Sequence, residues 1–291
     1  MLNAVLDTLI QGILLGALYG LFAAGLSLVF GIMRLVNIAH GDFIVLAAFM
    51  ALLAQRVLHI QSPFTALIVL VPFMFIVGYV LQRLILNPTL GKDILRTILV
   101  TFGLSVIIEN GLLEGFSADS QKLQGGQFAI QSIALPRGLA VGLFPLTMLV
   151  VCIVVIALLQ WVMYQTKLGR TFRATSDDQM TAALMGVNWR NLYSIATGIT
   201  MATVAIAGVF MGIRAGFDPS TGPDQLVFAF EAVIIGGLGS LWGTLVGGIL
   251  LGVAQSIGAR ISAEDMLMAG HLMFLVVLMV RPNGLFPKRG D

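Results

Sequence analysis

Charge is what this chain has least of. Asp, Glu, Lys and Arg make up 10% of its 291 residues while 58% are hydrophobic; a soluble domain devotes about a quarter of its residues to charge. So few charges cannot clothe a water-facing surface, and lipid is the expected solvent. The single cysteine, Cys152, excludes an internal disulfide. Of the three histidines, His59 and His271 stand alone, and no His/Glu/Cys set has metal-ligand spacing. No metal or other cofactor is therefore expected in this chain. No GxxxxGK(S/T) loop is present, so nucleotide energy, if used, enters through another chain. Ser105 and Ser240 have no evident base beside them, which speaks against an intramembrane hydrolase. The net charge of +2 forms no basic stripe for nucleic acid.

What the chain does have is apolar length. A bilayer is crossed by roughly 20 apolar residues, and about eight such segments lie near 5–29, 36–55, 64–86, 94–113, 143–164, 191–213, 226–257 and 264–280. The expectation is an all-α polytopic membrane protein, one transmembrane domain over 1–291. No small-residue cleavage site follows the first segment, and Asp7 stands where a signal peptide is basic, so that helix is read as retained.

Basic residues in short loops mark the cytoplasmic side. Arg83, Lys92 and Arg96, the segment 167–190, Arg34 and the tail with Arg281, Lys288 and Arg289 are all assigned there. The N-terminus, the 114–142 loop, Arg214, Asp218 and Asp224 are assigned outside. In the outer loop, with Asp119, Lys122 and Pro136, QFAIQSIALP reads as a short strand or hairpin.

This arrangement requires 226–257 to return to the side it came from. Gly236, Gly237, Gly239, Ser240 and Gly243 supply the place, since each helical glycine costs about 1 kcal/mol relative to alanine. Two helical pieces meeting near Gly236–Gly243 are expected. An earlier interruption falls at Arg34, Asn37, His40, Gly41 and Asp42. Paired interruptions in two halves of a chain point to an internally repeated transporter, here a weak and inverted repeat. Gly12, Gly16, Gly20 and Ala24, and later Gly243, Gly247, Gly248 and Gly252, form small-residue stripes. They serve helix packing or a subunit interface.

The exception to the oil is KLGRTFRATSDDQMTAALMGVNWR at 167–190, with Lys167, Arg170, Arg173 and Arg190 against Asp177 and Asp178. Ser176 and Gln179 fit a capping box, Asp177 and Asp178 fall in the first turn, and Gly186 fits a C′ glycine. Met180, Ala183, Leu184 and Val187 then share one face of a short amphipathic helix. It is either a connector lying on the membrane surface or a docking helix for a partner protein.

GRTFRATSDDQMTAALMGVN resembles the cytoplasmic signature of ABC-importer permeases of the branched-chain amino-acid family, through Gly169, Arg173, Ala174, Ala182, Ala183 and Gly186. GLSLVFGIMRLVNIAHGDF, IIGGLGSLWGTLVGG and RPNGLFP agree, in order along the whole chain, and the H-type subunit is the branch most resembled. The resemblance implies a bacterial inner-membrane location and a second, homologous permease subunit. It implies two cytosolic ATPases, which carry the ATP and Mg, and a periplasmic solute-binding protein. It also makes 177–186 a coupling helix, with Asp177, Asp178, Met180 and Leu184 on it. The solutes implied are branched-chain amino acids, or urea, amides or organic acids.

Ionisable residues in apolar segments are expensive, about 2.5–3.5 kcal/mol for Asp at a helix centre. Asn37, His40, Asp42, Glu109 and Glu231, with Gly236, Gly237, Gly239 and Ser240, are the candidates for a solute path or gate. The competing reading is structural: Asn37, His40 and Asp42 satisfy broken-helix backbone and pair with Arg34, while Glu109 pairs with Asn110 or meets outer water. Two rival functions use the same residues. An ion-gradient-driven transporter would bind its ion at Asp42 and Glu109, and an intramembrane enzyme would use His40 with Asp42. Neither needs a docking helix.

Overall fold

A computed structural model describes residues 2–57, 62–90, 94–135 and 139–287. His59, Lys92, Asp93, Pro136, Lys288 and Arg289 lie outside the described residues. The long helices are α1 (Leu2–Met33), α2 (His40–Val57), α3 (Pro63–Leu81), α4 (Ile94–Phe116) and α5 (Leu143–Gln165). A π-helical turn, Gln82–Leu86, extends α3. Short helices α6 (Lys167–Asp177) and α7 (Gln179–Leu184) lead into α8 (Trp189–Arg214), followed by α9 (Gly222–Gly236), α10 (Leu241–Ile261) and α11 (Asp265–Val280). Among the described residues, 7 helices are long and apolar enough to cross a membrane, and Asp265–Val280 is a shorter apolar one. The outer-loop expectation holds, since β1 (Ser132–Leu135) and β2 (Leu139–Gly142) pair antiparallel.

α1 is the central post. It is 89% buried over its most apolar window, whereas α4 is 17% buried and turns Leu99, Phe102 and Ile107 outward. The two small-residue stripes pack on each other: a Cβ on Gly16 would lie 2.4 Å from the Gly248 carbonyl, and one on Gly252 would lie 2.4 Å from that of Gly12. They are bundle contacts between α1 and α10, where missing side chains let backbones approach and gain dispersion contact.

The loops sort to two ends as charge placement requires. At one end Arg260 bonds Asp7 at 2.9 Å and Thr8 at 2.8 Å, Arg56 donates to Gln121, and Gln121 bridges Phe217. At the other, Ser176 Oγ donates to the Gly31 carbonyl, Asn87 to the Arg190 carbonyl, and the amides of Leu285 and Phe286 to the carbonyls of Ile235 and Gly236. The segments read as cytoplasmic therefore share one end.

The expected break in 226–257 is present. Gly237 (φ 103°) and Gly239 (φ 78°) take left-handed conformations that a Cβ disfavours, and Ser240 caps α10 by accepting from the Gly243 amide. α10 then runs back along α9, with Gly247 against the Ala232 carbonyl. The pairing of interruptions needs correction. The 237–240 break is a turn at the bundle's end, beside Gly31. The early break leads instead into the buried start of α2, and what meets it there is the start of α9. A Cβ on Gly41 would lie 2.0 Å from the Gly222 carbonyl. Pro223 and Asp218, which begin that second descent, carried too weak a signal to be read as a break.

Candidate functional site

The polar segment folds into two helices, not one. Thr166 caps α6 by accepting from the Gly169 amide, and Gly169 is buried because a Cβ there would lie 2.1 Å from the Met163 carbonyl. Arg173 turns back over this corner, donating to the Met163 carbonyl at 3.0 Å with its guanidinium 4.8 Å from the Tyr164 ring centre. Gly169 and Arg173 thus face the bundle. Ala174 and Asp177 remain exposed on α6.

The capping box is displaced by two residues. Ser176 lies within α6 and bonds Gly31, while Asp178 is the N-cap of α7, accepting from the amides of Met180 (2.9 Å) and Thr181 (3.0 Å). The Ser176 hydroxyl is drawn off to the Gly31 carbonyl, so the cap forms at Asp178, whose Oδ1 takes both amides. Gly186 has φ 85°, and the amides of Gly186 and Val187 reach back to the carbonyls of Ala183 and Ala182, a Schellman ending. The exposed apolar face is Met180 (78% exposed), Leu184 (84%) and Met185 (82%), with Ala183 among them. Ala182 is buried and Val187 packs on the core, which corrects the expectation that Val187 belongs to the outer face. Met185 was missed because the C-cap residue falls outside simple helical periodicity.

The Thr181 hydroxyl above all, then the Thr181 amide, holds the Asp178 carboxyl below the usual carboxylate range. A depressed folded-state pKa stabilises above the unfolded value, about 3.9, and is lost as pH falls through the folded one. Amide protection at Met180 and Thr181, corrected for intrinsic exchange, is expected to drop on acidification below about pH 4. In Asp178→Asn the cap persists without that dependence; an identical pH profile would remove the carboxylate from the explanation.

The candidate path residues fall in three places. Asn37 Oδ1 accepts from the Ala39 amide at 3.1 Å and so satisfies broken-helix backbone, whereas the His40 ring bonds the Phe22 carbonyl in the unbroken interior of α1 at 2.8 Å. Asp42, on the first turn of α2, is buried, and its Oδ1 has no hydrogen-bond partner among the described residues. It stands where a Cβ on Gly222 would be. Ser105 and, one turn further along α4, Glu109 are within electrostatic range of the Asp42 carboxylate. Ser105 carried no sequence signal because its partner is 63 residues away. Asn110 is exposed and bonds its own helix at Val106, so Glu109 and Asn110 are not a buried pair.

Glu231 lies elsewhere, its Oε1 2.5 Å from His271 Nδ1. His271 is therefore not isolated. Gly236, Gly237, Gly239 and Ser240 form the α9–α10 turn at the bundle's end and belong to no site with Asp42. Among the described residues no group of three His, Cys, Asp or Glu could hold a metal ion.

A bundle with 7 helices long and apolar enough to cross a membrane among the described residues, and one capped, apolar-faced helix exposed at one end, defines the class as a multi-pass membrane protein. The comparisons give the family. The pattern for the branched-chain amino acid transport system permease component matches residues 8–280, and this chain belongs to that family: it is a transport permease of the inner membrane, not an enzyme. It is 28% identical over 302 residues to the high-affinity branched-chain amino acid transport system permease protein BraD of Pseudomonas aeruginosa, covering 97% of this chain and 96% of that one. To the corresponding LivH protein of Escherichia coli K12 it is 27% identical over 296 residues, again 97% and 96%. A second permease of that organism, LivM, is 32% identical over 125 residues, 41% of this chain and 28% of LivM. No solved structure matches the chain.

Proposed function

We propose that residues 1–291 form one transmembrane half of an ATP-driven importer for branched-chain amino acids. The observation that carries the reading is α7. Both its ends are capped, its base is tied to the bundle through Ala182, and its outer face leaves Met180, Leu184 and Met185 exposed among the described residues. A rigid exposed helix is of use where a moving partner grips it, and only differential contact in two partner states can shift the permease between conformations. The partner is a cytosolic ATPase, one beneath each of two permease subunits. The LivM likeness supports a homologous permease as the second half. A periplasmic binding protein delivers solute.

The translocation path runs past the α2–α9 junction. Helix N-termini there attract a solute carboxylate, and Asp42 with Glu109 offers acceptors for an ammonium group. The α1–α2 and α8–α9 pairs, each a long helix, a break and a second helix starting at that junction, support an inverted repeat built around it. The same chemistry admits urea, small amides or organic acids, which competition uptake assays would separate. Asp42→Asn is expected to lower uptake roughly tenfold, the scale of a partly buried charge–dipole contact, with ATPase association unchanged. Unaltered uptake would make Asp42 structural. For the importer as a whole, reconstitution with the ATPases, second permease and binding protein is expected to give ATP-dependent leucine uptake; uptake driven by an ion gradient without ATP would overturn it.

A further inference from the structure

At the α7 end of the bundle, a cavity of about 380 Å³ opens between α1, the α5–α6 corner, the start of α10 and the chain after α11. Its walls carry one charge, Arg173, and no carboxylate among the described residues. Of its five donors, the guanidinium spends one on the Met163 carbonyl, and it has no ion-pair partner among the described residues. The α10 N-terminus faces the same space. Ser240 caps the Gly243 amide, while helix geometry leaves the amides of Leu241 and Trp242 without intrahelical acceptors. Ser27, also on the wall, is fully buried, and its Oγ has no hydrogen-bond partner among the described residues. An unpaired cation, a helix N-terminus and an unsatisfied hydroxyl converge on one volume, and each of them favours an oxyanion.

The rim identifies the chemistry further. Tyr164, Trp242 and Phe286 line the cavity and are about half exposed, and Trp161 is exposed one turn before Tyr164. Tyr and Trp at the end of an apolar bundle sit at headgroup level, and a basic pocket between transmembrane helices there takes a lipid phosphate. We propose that this cavity binds a phosphate group, as the headgroup of an anionic phospholipid or as free phosphate, bridging Arg173 to the first amides of α10. Because α6 continues into α7 and bonds α1 through Ser176, occupancy fixes the base on which α7 stands. This site is independent of which solute the permease carries.

The test uses the full chain in nanodiscs of equal parts phosphatidylcholine and phosphatidylglycerol, with retained lipids measured by mass spectrometry after detergent exchange. Wild type is expected to favour phosphatidylglycerol about tenfold more than Arg173→Gln does, the scale of lost charge-assisted hydrogen bonds. Arg173→Lys should recover part of the preference. Ser27→Val, which alters no charge, should reduce it by a smaller factor. In a second arm, inorganic phosphate is titrated against Trp242 fluorescence in phosphatidylcholine nanodiscs, with Trp242→Phe as blank. Lipid preference without a phosphate response assigns the headgroup, and a saturable phosphate response without lipid preference assigns the free ion. Equal retention by wild type, Arg173→Gln and Ser27→Val, with no phosphate response, overturns the site.

Discussion

Ala183→Glu is expected to abolish ATP-driven uptake while leaving membrane insertion and thermal stability at wild-type levels. Ala183 sits on the exposed face of α7 among Met180, Leu184 and Met185, so in the free permease a glutamate there meets only water. Seated in a partner's apolar cleft, the same carboxylate loses its hydration and gains no counter-ion. Truncations at interface hot spots cost 2 kcal/mol or more, and an uncompensated buried charge costs about 3–5 kcal/mol. A loss of ATPase affinity of roughly a hundredfold or more follows. The matched control is one residue away. Ala182 is buried, so Ala182→Glu should damage folding and expression first, with uptake lost only as a consequence. The measurement is uptake, ATPase activity and membrane yield for both variants in proteoliposomes. Ala183→Glu transporting like wild type would sink the coupling assignment for α7. Charge reversal at Arg173 tests something different, because that guanidinium faces inward onto the Met163 carbonyl and its loss loosens α6 instead of spoiling the docking face.

Helices were legible wherever lipid wrote them. Long apolar runs mark α1 to α5 and α8 to within a few residues, because a hydrocarbon solvent tolerates only satisfied backbone. The glycine turn at 236–243 was legible for the same local reason: positive φ needs glycine. What escaped were relations between distant residues. Asp42 meeting Gly222, Ser105 meeting Asp42 and Glu231 meeting His271 each depend on which helices pack together, and no local pattern encodes that. The polar segment shows the boundary well. Gly186 was readable as a helix end, yet the start slipped from Ser176 to Asp178. Both residue types can cap, and only the packing of Ser176 on Gly31 decides between them.

The α2–α9 junction carries the other large expectation. Gly41→Ala should lower the thermal unfolding midpoint by roughly 5–10 °C, from an overpacking cost near the upper end of about 1–3 kcal/mol. The methyl would lie 2.0 Å from the Gly222 carbonyl and 2.8 Å from the Leu226 amide, and both are backbone atoms of α9, which cannot rotate aside as a side chain can. Gly222→Ala is the milder change, since its methyl meets the Asp42 carboxylate at 2.0 Å and a side chain can yield. Gly111→Ala on α4 is the control: nothing lies within 4 Å of its added methyl, so helix propensity alone acts and the midpoint should hold or rise slightly. The order of the three midpoints, Gly41→Ala lowest and Gly111→Ala highest, can be read from detergent-solubilised protein by fluorescence-detected size exclusion. If Gly41→Ala melts with wild type, the first turns of α2 and α9 are free to separate, and a rigid junction around Asp42 is excluded. If it melts early yet transports normally at low temperature, the junction holds the bundle together without gating the path. Only early melting together with impaired low-temperature uptake places both roles in that one contact, because prying the helices apart then disturbs the fold and the solute's passage at the same atoms.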